Sequence, residues 1–371
     1  MKLSRYKYDK WILILLFLFF IISISSIYTA SNYISEKNLV TKQIIWYTIG
    51  ILLTLFITKK DNAYFYENYK FLYIGGNILL LLLLFFGPNI NGSRCWFLIP
   101  KIGSFQPSEF MKIFLAITLA TEADKFNKEE KHTKKEEIAF IFKILFLTMI
   151  PSFLTFLQPD TGVVIIYFVI AFFILLASNI SKSWFLIGFL LLISILGFIF
   201  YLYFFNKNLF IKLFSTELFY RLERILDWQS GVGYQLENSL TSIGSSGLLG
   251  HGFNNLPLYF PEPQTDFIFS VYASSFGLFG SVLFIFLLVL FDFRLLYISK
   301  KNHGIDKYLI FALLGMLLYQ QIQNISMTLG LLPITGITLP FISYGGSSLI
   351  SYMLIIGIVL NSSNNTQKQI H

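Results

Sequence analysis

Charged residues are scarce in this chain of 371 residues: Asp, Glu, Lys and Arg together make up 13% of it, against about 25% in an ordinary soluble domain. So few charges cannot cover a surface that faces water, which excludes a soluble globular protein. Cysteine is nearly absent, and the lone Cys95 excludes a disulfide within the chain. Hydrophobic residues make up 55% of the chain and gather in long apolar runs. The sequence therefore predicts an integral membrane protein whose main solvent is lipid.

Ten segments are close to the roughly 20 apolar residues that a bilayer-spanning helix needs. They are residues 11–35, 43–58, 71–93, 109–121, 144–159, 161–181, 183–206, 267–291 and two halves of the uncharged stretch 308–367. Pro333, Gly336 and Pro340 divide that stretch into two spans. The weakest segment contains Glu109 and Lys112, and we count it because the loop charges otherwise fail to alternate. We expect an all-α polytopic membrane protein with ten transmembrane helices.

The basic residues lie mostly on one side of these ten spans, which places both termini in the cytoplasm by the positive-inside rule. The net charge of +8 is thus explained by topology, and no nucleic-acid partner is implied. We expect one membrane-embedded domain, 1–371, with a Lys/Glu-rich cytoplasmic loop at 122–143 and a large extracytoplasmic loop at 206–265, between helices 7 and 8. Within the outer loop, 209–228 has the pattern of an amphipathic interfacial helix, and the rest has the composition of irregular chain.

Ionisable residues at the outer ends of the spans need an explanation, because charge is costly at membrane depth. They are Arg94, Lys101, Glu109, Lys112, Asp160 and Asp266. Each has a plain structural interpretation: Glu109 and Lys112 are spaced to pair on one helix face, and the two aspartates begin helices. Together, beside Trp96, they also indicate chemistry on a phosphorylated lipid, since a buried carboxylate can act as a base and cations bind phosphate.

Five motifs, in this order between residues 92 and 348, resemble the SEDS family (shape, elongation, division and sporulation proteins). They are Gly92-Ser-Arg-Cys-Trp96, Phe105-Gln-Pro-Ser-Glu109 with Lys112, Gln158-Pro-Asp-Thr-Gly162, Pro261-Glu-Pro-Gln-Thr-Asp-Phe-Ile-Phe269, and Gly330-Leu-Leu-Pro-Ile-Thr-Gly336 followed by Leu339-Pro-Phe-Ile-Ser-Tyr-Gly-Gly-Ser-Ser348. The Pro333–Gly336 run and the compact length favour the rod-shape (RodA) branch of the family over the division (FtsW) branch.

The resemblance implies a glycosyltransferase that polymerises lipid II, a disaccharide-pentapeptide on undecaprenyl pyrophosphate, at the outer face of the bacterial cytoplasmic membrane. The reaction would invert the anomeric carbon. Asp266 would be the general base, Asp160 a second essential acidic group, and Glu109 would orient Lys112. Arg94 and Lys112 would offset the phosphate charge.

The remaining candidates bind substrate. Trp96 would stack on sugar or lipid, with a buried interface aromatic as the alternative. The other substrate-binding candidates are Gln106, Ser108, Ser343, Gly345 and Gly346. For Ser343 and the two glycines the alternative is close helix packing by small residues. Whether a divalent cation, Mg or Mn, takes part is left open; if one does, Asp160 and Asp266 would be its ligands, and otherwise Asp160 would position the sugar.

The family also implies partners: a class B penicillin-binding protein, components of the elongation or division complex, and membrane lipid. Two functions compete with the enzyme, namely a lipid II flippase and a scaffold without chemistry. The sequence departs from the family pattern at Ser274, Ser275 and His251, which puts in doubt any role at those positions.

Overall fold

The computed structural model describes residues 8–34, 38–90, 92–99, 103–129, 131–214, 216, 219 and 233–368. Ten long helices lie at the ten predicted spans: α1 Lys10–Ser31, α2 Leu39–Thr58, α4 Tyr69–Phe86, α5 Pro107–Phe126, α6 Lys134–Leu157, α7 Thr161–Ala177, α8 Ser183–Phe205, α11 Ile268–Lys301, α12 Gly304–Thr328 and α13 Gly346–Lys368. Within the described part of the chain, 8 helices have the length and composition of a bilayer span. Of the other two, α7 is a shorter apolar helix and α5 carries Glu109 and Lys112. The predicted fold class is confirmed.

Helix α12 lies at the centre of the bundle and packs on α5, α7 and α11. The most extensive contact elsewhere runs along α2 and α13, where small residues allow a close approach. The Cα of Gly50 faces Met353, and Gly357 faces Ile57. Such close packing between helices is the main source of cohesion in lipid, where apolar burial gives little advantage.

Two ends of the bundle carry different polar groups. At the end where α1 begins and α13 ends, Arg294 Nη2 lies 2.6 Å from Asp9 Oδ2, and Asn62 Nδ2 donates to Asp306 Oδ1 over 3.1 Å. The acidic residues of the predicted site, Asp160 and Asp266, begin helices at the opposite end. This arrangement agrees with an even number of spans.

Helix α8 stands apart from the rest of the bundle. It is described throughout, and every residue from Leu186 to Phe198 is exposed. At its cytoplasmic end Trp184 Nε1 donates to Glu137 Oε2 over 2.6 Å, which anchors that end to α6. A helix that is apolar on all faces is stable in this position only in lipid.

The predicted span at 267–291 is not one straight helix, which corrects the sequence analysis. Gly277 adopts φ 64° and ψ −160°, and this break divides α11 into residues 268–276 and 278–301. The two parts fold toward each other, because the ring centroid of Phe269 lies 6.1 Å from that of Phe284. In a straight helix these residues would be about 22 Å apart along the axis. The long second part is the membrane span.

Other boundaries differ from the prediction as well. Helix α4 ends at Phe86, short of the predicted 93, and is followed by a hairpin of β1 Phe97–Ile99 and β2 Gly103–Phe105, paired antiparallel. The cytoplasmic segment predicted as a loop at 122–143 is largely helical, because α5 continues to Phe126 and α6 begins at Lys134 behind a Thr133/Glu136 capping box.

The outer segment at 206–265 is also more regular than predicted. It contains α9, Lys207–Phe214, and α10, Tyr234–Gly244, in addition to the short cytoplasmic α3, Ala63–Glu67. The amphipathic helix predicted at 209–228 is confirmed over its first residues by α9, and most of its remainder lies outside the described residues.

Candidate active site

Asp266 lies between two chain segments at the outer end of α12. Asn324 Nδ2 donates to the backbone oxygen of Asp266 over 2.9 Å and to that of Ile337 over 2.8 Å, so a single side chain joins both segments. The Asp266 carboxyl group faces Gly336, where a Cβ would lie 3.5 Å from Asp266 Oδ2. Gly336 has φ 69°, a conformation that glycine adopts without strain.

The surroundings of Asp266 make it a weaker acid than usual. Burial raises the pKa of Asp266 to about 7, and the negative charge of Glu262 contributes in the same direction. Glu262 itself has φ 55°, and its Oε2 accepts from Thr265 Oγ1 over 2.8 Å and from Gln264 Nε2 over 3.1 Å. A carboxyl group with this pKa can exchange a proton near neutral pH.

Asp160 caps the start of α7, as the plain interpretation of the sequence predicts. Its Oδ1 accepts from the backbone N–H of Val163 over 3.2 Å, and its Oδ2 accepts from Gln106 Nε2 over 3.0 Å. Burial raises the pKa of Asp160 to about 6, with Glu109 acting in the same direction and Lys112 in the opposite one. The bond from Gln106 shows that Asp160 does more than cap a helix.

Glu109 and Lys112 form the ion pair that their spacing predicts. Lys112 Nζ lies 2.7 Å from Glu109 Oε2, and the two side chains are only 1% and 7% exposed, respectively. Lys112 Nζ also lies 5.2 Å from the ring centroid of Tyr352, whose hydroxyl accepts from Gln320 Nε2 over 2.7 Å. The ammonium group is therefore enclosed, and it acts on its surroundings through the buried ion pair.

A single chain segment brings the two aspartates to the same place. Residues 335–337 pass across the start of α7, where a Cβ on Gly162 would lie 3.1 Å from Thr335 O and 3.0 Å from Ile337 Cγ1. The same segment faces Asp266 at Gly336. The structure thus gathers Asp266, Asp160 and the residues that contact Asp160 around one outer segment.

Arg94 is not part of this group. It is exposed, and its Nη1 donates to Leu84 O over 3.0 Å, near the carboxyl end of α4. A cation there is stabilised by the helix dipole.

Trp96 is half-buried. The neighbouring Cys95 donates its Sγ–H to Gln158 O over 3.0 Å, which joins the hairpin to the segment before Asp160. Lys101 lies outside the described residues.

The other substrate-binding candidates lie within the protein framework. Ser108 is buried, and its backbone oxygen accepts from Tyr167 Oη over 3.2 Å. Ser343 Oγ donates to Thr265 O over 2.7 Å and accepts from Leu339 N over 2.9 Å, which positions the segment before Asp266.

The two glycines of the last motif have packing roles. Gly345 N donates to Gln43 Oε1 over 3.4 Å, and a Cβ on Gly346 would lie 2.6 Å from the indole of Trp46 on α2. These contacts favour the packing alternative that the sequence left open.

The two aspartates are the candidate cation ligands. Both oxygens of Asp160 accept hydrogen bonds, and across the described residues no group of three or more His, Cys, Asp or Glu residues could hold a metal ion. Mg²⁺ is commonly bound by one or two carboxylates, with water and substrate phosphate oxygens as its other ligands. Asp160 and Asp266 as ligands of a divalent cation therefore stay a prediction.

Two residues of the site were not predicted. Glu262 is visible in the sequence as a second carboxylate four positions before Asp266, and Asn324 as a polar residue in the uncharged stretch 308–367. Nothing in the sequence indicates that Asn324 contacts Asp266, because that contact depends on how α12 packs.

Fold and site together define a polytopic helical membrane protein with half-buried acidic groups at the outer end of its bundle. Residues 7–368 match the model of the family of cell cycle proteins represented by FtsW, RodA and SpoVE. The chain belongs to this family, and the resemblance based on motifs is confirmed. It is accordingly a multi-pass protein of the bacterial cytoplasmic membrane.

Two relatives are both described as probable peptidoglycan glycosyltransferase FtsW. The protein from Coxiella burnetii is 30% identical, over 98% of each chain. The protein from Haemophilus influenzae is 30% identical, over 95% of this chain and 89% of its own. Because these relatives are FtsW proteins, the preference for the rod-shape branch is not confirmed.

Two solved structures share the fold, each at 24% identity. One comes from work on polymerisation and crosslinking by a peptidoglycan synthase complex, with a TM-score of 0.82 over 98% of this chain and 99% of the other. The other is the rod shape determining protein RodA of Thermus thermophilus, with a TM-score of 0.71 over 98% of each chain. At this identity they support the fold alone.

Proposed function

We propose that this protein is a peptidoglycan glycosyltransferase that polymerises lipid II at the outer face of the cytoplasmic membrane. The observation that carries the proposal is the position of Asp266, whose carboxyl group has a pKa near 7 and faces the glycine turn at Gly336. The names of the relatives, probable peptidoglycan glycosyltransferases, support the same reaction.

In the proposed reaction, ionised Asp266 takes the proton of the acceptor sugar's 4-hydroxyl group. The hydroxyl oxygen then bonds to the donor's anomeric carbon from the face opposite the leaving group, and the bond from that carbon to the phosphate oxygen breaks. The configuration is inverted, and undecaprenyl pyrophosphate leaves with the electron pair. A pyrophosphate leaves readily as an anion, so the step needs charge stabilisation more than a general acid.

The other site residues support this step. Gln106 holds Asp160 in place by a hydrogen bond, and the buried pair of Glu109 and Lys112 acts on the charge of Asp160. Asp160 in turn caps the start of α7 beside residues 335–337. Arg94, exposed at the outer surface, is the proposed contact for the pyrophosphate, for which it must leave Leu84 O.

The test is glycan synthesis by the purified protein with fluorescent lipid II. Asp266→Asn keeps the shape of the side chain and removes the base, so we expect the wild type to make strands and the variant to lose at least about 10²-fold in rate. Asp61→Asn, at an exposed carboxylate in the cytoplasmic turn after α2, is the matched control and should be fully active. Equal activity of Asp266→Asn and wild type would refute the assignment of the base.

A flippase is the competing function, and the same protein in lipid vesicles separates the two. Movement of lipid II across the vesicle membrane without strand formation would support the flippase. A class B penicillin-binding protein is the proposed partner, on the family resemblance. The structural neighbour comes from work on a peptidoglycan synthase complex. The assay is therefore run both with and without that partner.

For the cellular role we propose cell division, in place of the elongation expected from the Pro333–Gly336 run. The support is that the sequence relatives are FtsW proteins. Depletion of the protein should produce filamentous cells that fail to divide. Rounded cells that still divide would support elongation instead.

A further inference from the structure

Three lysine side chains gather around one tyrosine at the cytoplasmic ends of α4, α5 and α6. Lys125 Nζ donates to Tyr69 Oη over 2.7 Å and lies 2.9 Å from Glu122 Oε1. Lys143 pairs with the other oxygen of the same carboxylate. Lys70 Nζ lies 5.9 Å from the centroid of the Tyr69 ring. These five side chains form a basic cluster, in which three ammonium groups lie around a single carboxylate.

The basic cluster is held in place from within. The side chain of Glu122 is only 6% exposed, whereas those of Lys125 and Lys143 are 48% and 56% exposed. Tyr69 Oη donates to Glu122 Oε1 over 2.8 Å, which joins α4 to α5. A lysine that only marks the cytoplasmic side of a membrane protein needs no such buried partner. The ion pairs explain two of the lysines as links between helices, but they do not use Lys70, and the cluster as a whole stays positively charged.

Apolar side chains are exposed one helical turn deeper in the membrane than the basic cluster. Ile74 follows Lys70 by four positions on α4 and is 56% exposed. Phe146 follows Lys143 by three positions on α6 and is 65% exposed. Residues at these spacings share a helix face. The surface therefore offers cations at the depth of the lipid headgroups and apolar contacts at the depth of the acyl chains.

We propose that the basic cluster binds an anionic phospholipid of the inner leaflet, of the phosphatidylglycerol type. The phosphate group would lie against the exposed ammonium groups, and the acyl chains against Ile74 and Phe146. Basic pockets between transmembrane helices on the cytoplasmic side suit such headgroups. A soluble anion would leave the apolar contacts unused, and a zwitterionic phospholipid would bring its own cation to a site that is already positive. Because the cluster lies at the opposite face of the membrane from Asp266, its ligand is independent of the proposed reaction.

The first test is photocrosslinking of the purified full-length protein in phosphatidylcholine nanodiscs. Two probes carry the same diazirine on the acyl chain, one a phosphatidylglycerol and the other a phosphatidylcholine. We expect the phosphatidylglycerol probe to label residues 69–86 and 134–157 at least about tenfold more than the other probe does. Excess unlabelled phosphatidylglycerol should remove this preference. Equal labelling by the two probes would overturn the proposal, as would a preference that free glycerol phosphate or a polyglutamate peptide removes equally well.

The second test removes one cation of the basic cluster. Lys70→Gln leaves both ion pairs of Glu122 in place, so folding is preserved. Lys60→Gln is the matched control, because Lys60 is also exposed at a cytoplasmic helix end and its Nζ lies 6.0 Å from the ring centroid of Phe56. From the contribution of one lysine near an anionic membrane surface, we expect Lys70→Gln to lose about fivefold in its preference for phosphatidylglycerol. The control should match wild type, and an equal loss in both variants would show attraction by overall charge and overturn the site.

A third variant separates the arrangement of the basic cluster from its charge. Lys143→Gln combined with Glu122→Gln removes one cation and one anion, so the net charge is unchanged while the ion pair that orders the cluster is lost. We expect the preference for phosphatidylglycerol to fall as far as it does in Lys70→Gln. The thermal midpoint in phosphatidylcholine, compared with that of wild type, reports folding separately. An unchanged preference in this variant would overturn the proposal.

Discussion

The rate of glycan formation should depend on pH through Asp266. Burial, reinforced by Glu262, raises the pKa of this carboxyl group to about 7, and the proposed base must be ionised to accept a proton. With that value, about 9% of the molecules carry the active form at pH 6 and about 91% at pH 8. The single-turnover rate should therefore rise roughly tenfold over this interval. An aspartate with an ordinary pKa near ~3.9 would give a flat profile here.

The perturbation that tests the cause is Glu262→Gln. The Glu262 carboxylate disfavours the ionised form of Asp266, so its removal lowers the pKa of Asp266 and moves the acid limb of the profile to lower pH. Glu237→Gln, an exposed carboxylate on α10, is the matched control and should leave the limb in place. Asp160 has a pKa of about 6, so its titration also affects the rate at the low-pH end of the profile. The profile of Asp160→Asn shows how much of the pH dependence comes from Asp160.

The assay is single-turnover transfer from fluorescent lipid II in detergent between pH 5.5 and 9. Single turnover is needed because product release can hide a pH-dependent chemical step. A rate that stays constant from pH 6 to 8 would refute the role of Asp266 as base. A limb that moves to higher pH in Glu262→Gln would refute the electrostatic argument even if Asp266 is the base.

Three further substitutions test the framework. Gly277→Ala places a side chain in a backbone conformation that favours glycine and against the backbone of Gly250. It should lower the free energy of unfolding by at least about 1–3 kcal/mol and lower the thermal midpoint in detergent. The control Gly188→Ala, in open space on α8, should leave that midpoint unchanged. Asn324→Leu leaves the carbonyls of Asp266 and Ile337 without their donor, so we expect a loss of about 1–3 kcal/mol and slower turnover. Lys112→Met leaves the buried Glu109 carboxylate unpaired and should lower the free energy of unfolding by about 3–5 kcal/mol. Adding Glu109→Leu should restore most of that stability, as measured by thermal melting.

The ten spans and their orientation were predictable from the sequence, because hydropathy and loop charge act locally along the chain. The break at Gly277 was not. It exists because Leu278 N and Phe279 N donate to the carbonyls of Gly247 and Leu248, at 3.0 and 3.2 Å, and those residues lie some 30 positions earlier. From the sequence alone, a glycine inside an apolar run can equally indicate close helix packing or a break in the helix. The position of Asp266 depends on the break, since residues 268–276 connect the two.

The site shows a similar limit. From the sequence, Arg94 and Lys112 lie on the same side of the membrane and both are predicted to bind phosphate. In the structure Arg94 is exposed, whereas Lys112 is enclosed. Because Lys112 Nζ lies 2.7 Å from Glu109 Oε2, the pair acts as a dipole whose field falls off more steeply with distance than that of a single charge. Its effect reaches Asp160 but is weak at a phosphate in solvent. The buried pair therefore acts on the charge of Asp160 at the start of α7. For the leaving pyrophosphate we propose Arg94, a cation that solvent can reach.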